Sequence, residues 1–460
     1  MPYDVFKENT SMRPSVVSVC AAAFLAALAL SPPSQAQTPA RDKTIKAQNF
    51  LSSFGVNIHF AENGYADTQA IADALHTIGL SRVRCNCENA EQVASWKDIA
   101  AKTAPYFPGG LKADVIILGY LNDGTTFADQ QKTVPQIAGL IETIEGPNEI
   151  NLHDIGGGAH GPFDTTDQTE NFPANYASWT KALYSWKKTV PALRNAKLIA
   201  PTIASGLESD YALLPDISPY VSAGTLHFYA GNGRQPSNFG GGDFPAIFDW
   251  YKAAASPGKP VVVSEWGQTT ASLPGQDGCD PATQAKYILN QMCDLTAKGA
   301  YRSYLYQLMD DSADGDPTGS GGTEAHFGIF DYQWRPKPAA LALAALKILL
   351  ADKTTAFVPR VPRYRVSGVT NAGSAGSSFS VSKSDGSTFI VVWNEPQIWD
   401  ETANAPVTPP ADPVSVSFGG VYKYKVYDPL IGSAALSSGR SLGVTVRVTG
   451  SPILVQVLAR

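Results

Sequence analysis

The chain has 460 residues, 44% of them hydrophobic and 17% charged, a composition that supplies a sizeable core and excludes wholesale disorder. A length of this order accommodates about two to three domains, or one large barrel with an accessory unit. The formal net charge of -6 excludes nucleic acid as the main partner, because phosphate binding needs a basic surface; neutral or weakly charged substrates fit better.

At the N-terminus, Lys7 and Arg13 precede an apolar run over residues 16–30, and Ser34-Gln35-Ala36 offers small residues for cleavage. This reads as a signal peptide over 1–36, and so predicts a secreted or periplasmic chain that starts near Gln37 and keeps no membrane attachment after cleavage. The run is too short and too early for a spanning helix. Cys20 follows Val19 inside it, without the small neighbour that a lipoprotein site needs. Cys85, Cys87, Cys279 and Cys293 remain in the mature chain. An even count in an exported protein permits disulfides, and Cys279 with Cys293 is the better pair because they flank one loop-helix segment. Cys85-x-Cys87 lacks zinc-site spacing and a second half.

From residue 51 to about 350, short apolar runs alternate with amphipathic stretches. The eight runs cover 55–60, 82–86, 114–120, 141–149, 197–202, 225–229, 260–265 and 301–308. The clearest, Val115-Ile116-Ile117-Leu118 and Val261-Val262-Val263, are continuous, as strands buried on both faces of a parallel sheet are. Helical spacing lies between them. Ile71, Leu75 and Ile78 recur after the capping residue Asp67 and before Gly79; Trp179, Leu183, Trp186 and Val190 repeat the pattern; residues 339–350 form an apolar helix entered through Pro338. Eight evenly spaced strand-helix units favour a closed (β/α)8 TIM barrel over a doubly wound sheet, and place the barrel in residues 37–354. Beyond it the helices stop and alternating runs begin, with Asp385-Gly386 as a hairpin turn. Residues 355–460 therefore read as an antiparallel β-sandwich, to which 44–54 could add an element.

Catalytic groups of such a barrel sit at the C-terminal ends of its strands. The fourth run ends Glu145-Gly146-Pro147-Asn148-Glu149 and the seventh ends Val263-Ser264-Glu265-Trp266-Gly267. Two carboxylates on nearly opposite sides of a barrel mouth can converge across a sugar ring. Glycoside hydrolysis needs such a pair, and in retaining enzymes it stands about 5–5.5 Å apart. The chain has no Gly-x-Ser-x-Gly elbow, and only six His, without clustered ligands, which disfavours an esterase or metal-dependent deacetylase. No cofactor motif is present. The glycines over 156–158 lack the Lys-Ser/Thr and strand placement of a phosphate loop. Asp310, Asp311, Asp314, Asp316 and Glu324 lack EF-hand spacing and read as a solvated polar loop rather than a calcium site.

Asn148-Glu149 with Glu265, Val83-Arg84, His227-x-Tyr229, and Gly328-Ile329-Phe330-Asp331 before Lys337-Pro338-Ala339 together resemble the clan A glycoside hydrolases. The trailing β-domain is similar to those of families 39, 30 and 79; among these, the compact barrel, the Glu145-Gly146-Pro147-Asn148-Glu149 string and the closing helix most resemble family 39-type enzymes, which include ones acting on bacterial exopolysaccharide. The resemblance implies that Glu149 is the general acid/base and Glu265 the nucleophile. It implies that Arg84 and Tyr229 hold the nucleophile's charge, and that Asn148 bonds the sugar 2-hydroxyl. His227 either joins that network or is a satisfied barrel histidine. The clan's tryptophan after the eighth strand is replaced here by Tyr304-Leu305-Tyr306-Gln307. Trp266 or Trp334 is then the expected stacking face, and Asp310 either bonds a hydroxyl or is structural. His59 and Asn57 end the first run on one side and are expected to line the pocket, with Glu88 and Asn86 as further candidates. The implied activity is retaining cleavage of a β-linked glycoside, exopolysaccharide or cell-wall glycan. A transglycosylase using the same intermediate and a non-catalytic carbohydrate-binding barrel are the alternatives. The oligomeric state stays open.

Overall fold

The computed structural model describes residues 44–459, apart from 61–62, 119–125, 152–171, 232, 238–242, 273–277, 312–321 and 360. The predicted signal peptide, most of the loop after Glu149, and Asp314 and Asp316 lie outside the described residues. No helix among those described is long and apolar enough to cross a membrane.

The order is β1 (Ile45–Lys46), α1 (Ala47–Ser52), β2 (Phe54–Asn57), α2 (Thr68–Ile78), β3 (Arg82–Asn86), α3 (Ala90–Thr103), β4 (Lys112–Ile116), α4 (Phe127–Thr133), β5 (Ile141–Glu145), α5 (Phe172–Thr189), β6 (Lys197–Leu198), α6 (Glu208–Ala212), β7 (Gly224–Tyr229), α7 (Phe244–Ala254), β8 (Val261–Gly267), α8 (Pro281–Lys298), β9 (Arg302–Leu305) and α9 (Pro338–Leu350). Strands β2–β9 form the predicted eight-stranded parallel sheet, in the order β6-β5-β4-β3-β2-β9-β8-β7. It closes on itself between β6 and β7. There the Ser222 amide donates to the Leu198 carbonyl at 2.8 Å, the Ala200 amide to the Ala223 carbonyl at 3.3 Å, and Ile199 pairs with Ala223. The helices form where the periodicity places them. Asp67 caps α2 by accepting from the Gln69 and Ala70 amides, and Gly79 ends it at φ 75°, in the left-handed region that glycine enters without a Cβ penalty.

The second sheet comprises β10 (Tyr364–Ser367), β11 (Ser378–Ser382), β12 (Thr388–Val392), β15 (Asp412–Tyr427), β16 (Ser437–Val448) and β17 (Ile453–Val457), with the small hairpin β13 (Trp399–Asp400) and β14 (Ala405–Pro406) beside it. It differs from a purely antiparallel unit in one strand: β1, from ahead of the barrel, adds in parallel to β11. A break in register between Ser417 and Tyr422 lets the first half of β15 pair with β10 and the second with β17, while β16 follows both. The sheet thereby wraps a core of Ile390, Val392, Val414, Val416, Val446, Val448 and Val455. Another core cluster runs from the barrel into this sheet through Phe50, Phe54, Phe379 and Trp393. The proposed disulfide is not formed: Cys85, Cys87, Cys279 and Cys293 are all free and buried. Cys279 packs with Tyr287, Ile398 and Trp399, while Cys293 lies in the main core, so flanking one segment does not bring the sulfurs together.

Candidate active site

Arg84 organises the barrel's C-terminal end. Strand register sets Asn57 beside Arg84 and His227 beside Glu265. Arg84 is 1% exposed, and its guanidinium donates to four side chains within 3.0 Å, with His227 Nε2 a further 3.5 Å neighbour. Nη1 reaches Glu265 at 2.7 Å and Asn57 at 2.8 Å; Nη2 reaches Asn148 at 2.7 Å and Glu145 at 2.8 Å; Nε reaches Glu145 at 3.0 Å. Bidentate pairing with Glu145 fixes the guanidinium plane and aims its remaining donors at Glu265 and Asn148. Glu145 itself accepts from the Ser264 hydroxyl at 3.0 Å, and the Asn57 amide donates to the Ser264 and Tyr304 carbonyls at 3.1 and 3.2 Å.

Glu265 accepts the Tyr229 hydroxyl at 2.7 Å on its second oxygen. His227 Nδ1 lies 2.9 Å from Glu149 and 3.5 Å from Glu265. One oxygen of each glutamate and a ring nitrogen of His227 all fall within 4.8 Å of one another. Burial pushes the Glu265 carboxyl up, but the nearby His227 and Arg84 and the Tyr229 hydroxyl outweigh it and hold the group below its ordinary value. Burial and the Glu265 charge raise the Tyr229 phenol, which therefore stays protonated and donates. Beneath the site, burial and Glu145 raise Asp114 well above its ordinary value. Glu149, His227 and Glu265 offer three possible metal ligands. Both oxygens of Glu265 already accept from Arg84 and Tyr229, so a cation bound there would face the guanidinium.

Glu149 does not sit on a strand. β5 ends at Glu145, and Gly146-Pro147 turns the chain so that Glu149 projects from a loop at φ 43°. The Glu149 amide donates to the Thr202 hydroxyl at 2.9 Å, which holds this uncommon backbone in place.

A cavity of about 460 Å³ opens over both glutamates. Asn148, Tyr229 and His59 line it with Gln268, Thr269, Tyr306, Glu324 and Phe327. Arg84, Asn57 and His227 lie beneath or beside the pair as its supports. Three candidates lie elsewhere. Trp266 is buried on the opposite side of β8 from Glu265, against Phe54, because neighbouring strand residues point to opposite faces. Trp334 packs on Tyr65 and Phe330. Asp310 is locked to Lys337 at 2.7 Å, with burial pushing its carboxyl up to about 6. Asn86 and Glu88 bond each other away from the cavity. The aromatic wall is instead Tyr229, Tyr306 and Phe327, with ring centroids 5.3–6.1 Å apart. Glu145, Tyr306 and Phe327 were missed. Alternation could have found Glu145, two residues from the inward Thr143; no local pattern marks Phe327, which reaches the wall from the long segment after β9.

No protein-family model matches the chain, and no curated protein matches its sequence. Solved structures do match its fold. A family 39 glycoside hydrolase from Bacteroides cellulosilyticus superposes with a TM-score of 0.57 at 15% identity, over 90% of this chain and 82% of that one. A family 39 enzyme from Xanthomonas axonopodis pv. citri gives 0.53 at 13% identity, over 93% and 100%. A family 39 β-xylosidase from Caulobacter crescentus gives 0.50 at 12% identity, over 92% and 98%. The chain thus has the fold of the family 39 glycoside hydrolases, a (β/α)8 barrel followed by a β-sheet domain.

Proposed function

We propose that the protein is a retaining glycosidase that cleaves a β-linked glycoside by double displacement. One observation carries the reading: Glu265, held ionised by Arg84 and Tyr229, lies within 4.8 Å of Glu149 under one cavity. That separation supports attack by one carboxylate on a sugar whose leaving oxygen the other protonates. Glu265 attacks the anomeric carbon and the glycosidic bond breaks, with the Glu149 proton passing to the leaving oxygen. Glu149, now ionised, removes a proton from water, which displaces Glu265 from the sugar. Asn148, on the cavity wall and bonded to Arg84, is placed to bond the 2-hydroxyl. His227 contacts both glutamates.

Glu265→Gln is expected to abolish turnover of aryl glycosides. Glu149→Gln is expected to spare substrates with very good leaving groups, and azide is expected to rescue it. Equal loss in both variants with rescue of neither, or proton NMR showing an inverted first product, overturns the assignment.

A further inference from the structure

A third carboxylate reaches the cavity. Glu324 stands exposed at its rim beside Thr323. The Glu265 charge is met by Arg84 and Tyr229, and Glu149 meets His227. The Glu324 carboxylate has no ion-pair or hydrogen-bond partner among the described residues. Partial desolvation at the cavity rim, then the charges of Glu265 and Glu149, raise its pKa.

The surrounding face has the same sign. Among the described residues, the segments joining each barrel strand to the next helix contain nine Asp and Glu against three Lys and Arg. All three cations are already paired: Arg234 with Glu401 at 2.8 Å, Arg335 with Asp331 at 2.6 Å, and Lys337 with Asp310 at 2.7 Å. Among the described residues, no Lys or Arg lines the cavity. A cleft lined by one sign focuses the field on its occupant. A protonated amine entering beside Glu324 is attracted, a hydroxyl or acetamide is not, and a carboxylate is repelled.

We propose that the cavity selects its sugar by charge: it takes a glycoside of an amino sugar with a free, protonated amine in preference to the neutral counterpart, rejects the uronate, and uses Glu324 to meet the ammonium. This rests on the glycosidase reading. The test measures kcat/KM of the full chain on matched aryl glycosides and oligosaccharides of glucosamine, N-acetylglucosamine, glucose and glucuronic acid, at a pH where the amine is charged. Glucosamine is expected to exceed its neutral counterparts by about tenfold and these to exceed the uronate by at least as much, with both ratios narrowing as salt rises. Glu324→Gln is expected to lower the ratio of glucosamine to N-acetylglucosamine by about tenfold, mainly through KM. Uronate cleaved as well as glucose, or an unchanged ratio in a folded Glu324→Gln, overturns the charge selection and leaves the glycosidase reading standing. No cleavage of any glycoside overturns both.

Discussion

At the scale of single residues, the site is a charge-balancing problem solved around one guanidinium. Arg84 faces Glu145 and Glu265, and the second of these keeps its charge only because His227, Arg84 and Tyr229 together outweigh its burial. The sign follows directly. A nucleophile held below its ordinary value stays ionised as pH falls, so the acidic limb of kcat/KM is expected below the usual carboxylate range. Tyr229→Phe removes a donor to the ionised form, so Glu265 titrates higher, the acidic limb moves to higher pH, and kcat/KM falls by about tenfold or more. A pH-rate profile checks this; a limb that does not move shows that the hydroxyl does not hold the charge. Run-end position singled out Glu149 and Glu265, while Arg84 and Tyr229 were expected from the resemblance to the clan A enzymes. Neither singled out Glu145, because a glutamate four residues before another reads as part of the same motif until the fold shows it turned to Arg84.

At the scale of elements, the segment that carries Glu149 is set by its contact with the next unit. The Ile150 amide donates to the Thr202 carbonyl at 2.9 Å and the Thr202 amide to the Pro147 carbonyl at 3.2 Å. Gly146 makes that approach possible: a Cβ there would stand 2.6 Å from Pro201 Cγ and 2.8 Å from its nitrogen. Gly146→Ala is therefore expected to displace the Glu149 arm, lowering kcat by about tenfold or more while costing about 1–3 kcal/mol of stability. Kinetics alongside circular dichroism check it, and an unaltered kcat means that the close approach does not position Glu149. Helix limits were legible where a cap marked them, as at Asp67 and Gly79. The fourth strand was read through to Glu149, but Pro147 has no amide to continue the ladder, and the strand stops at Glu145.

At the scale of the whole molecule, the β-sheet domain is fastened to the barrel by buried polar groups as well as by the apolar core. The Asn290 amide on α8 donates to the Asn394 and Gly450 carbonyls at 3.2 and 3.0 Å, and the Trp393 indole to Asp294 at 3.1 Å. Asp294 and Glu395 are both buried and hydrogen-bond each other. Burial, and for Asp294 also the Glu395 charge, raise both carboxyls above their ordinary values, so the pair holds a shared proton to higher pH than free carboxyls would. Folded-state values above the unfolded ones mean a contribution complete at acid pH and lost as pH rises through the folded values. Asp294→Asn keeps the acceptor for Trp393 and removes one of the charges. It is expected to raise Tm by a margin that starts near zero at about pH 4 and grows to about 2–4 °C near pH 9. Parallel curves for the two proteins across that range overturn the shared-proton account.

Taken alone, the sequence determined the eight-fold alternation, the switch to strands after residue 352, and the carboxylates that end the fourth and seventh runs, because periodicity and strand-end position are local properties. Tertiary structure decided what depends on distance between remote segments. It turned Trp266 into the core, tied Asp310 to Lys337, left Cys279 and Cys293 unpaired, recruited β1 to the far sheet, and built the aromatic wall from Tyr306 and Phe327. Each of these is a contact between residues that no spacing rule joins, fixed only when the barrel closes and the sheet docks against it.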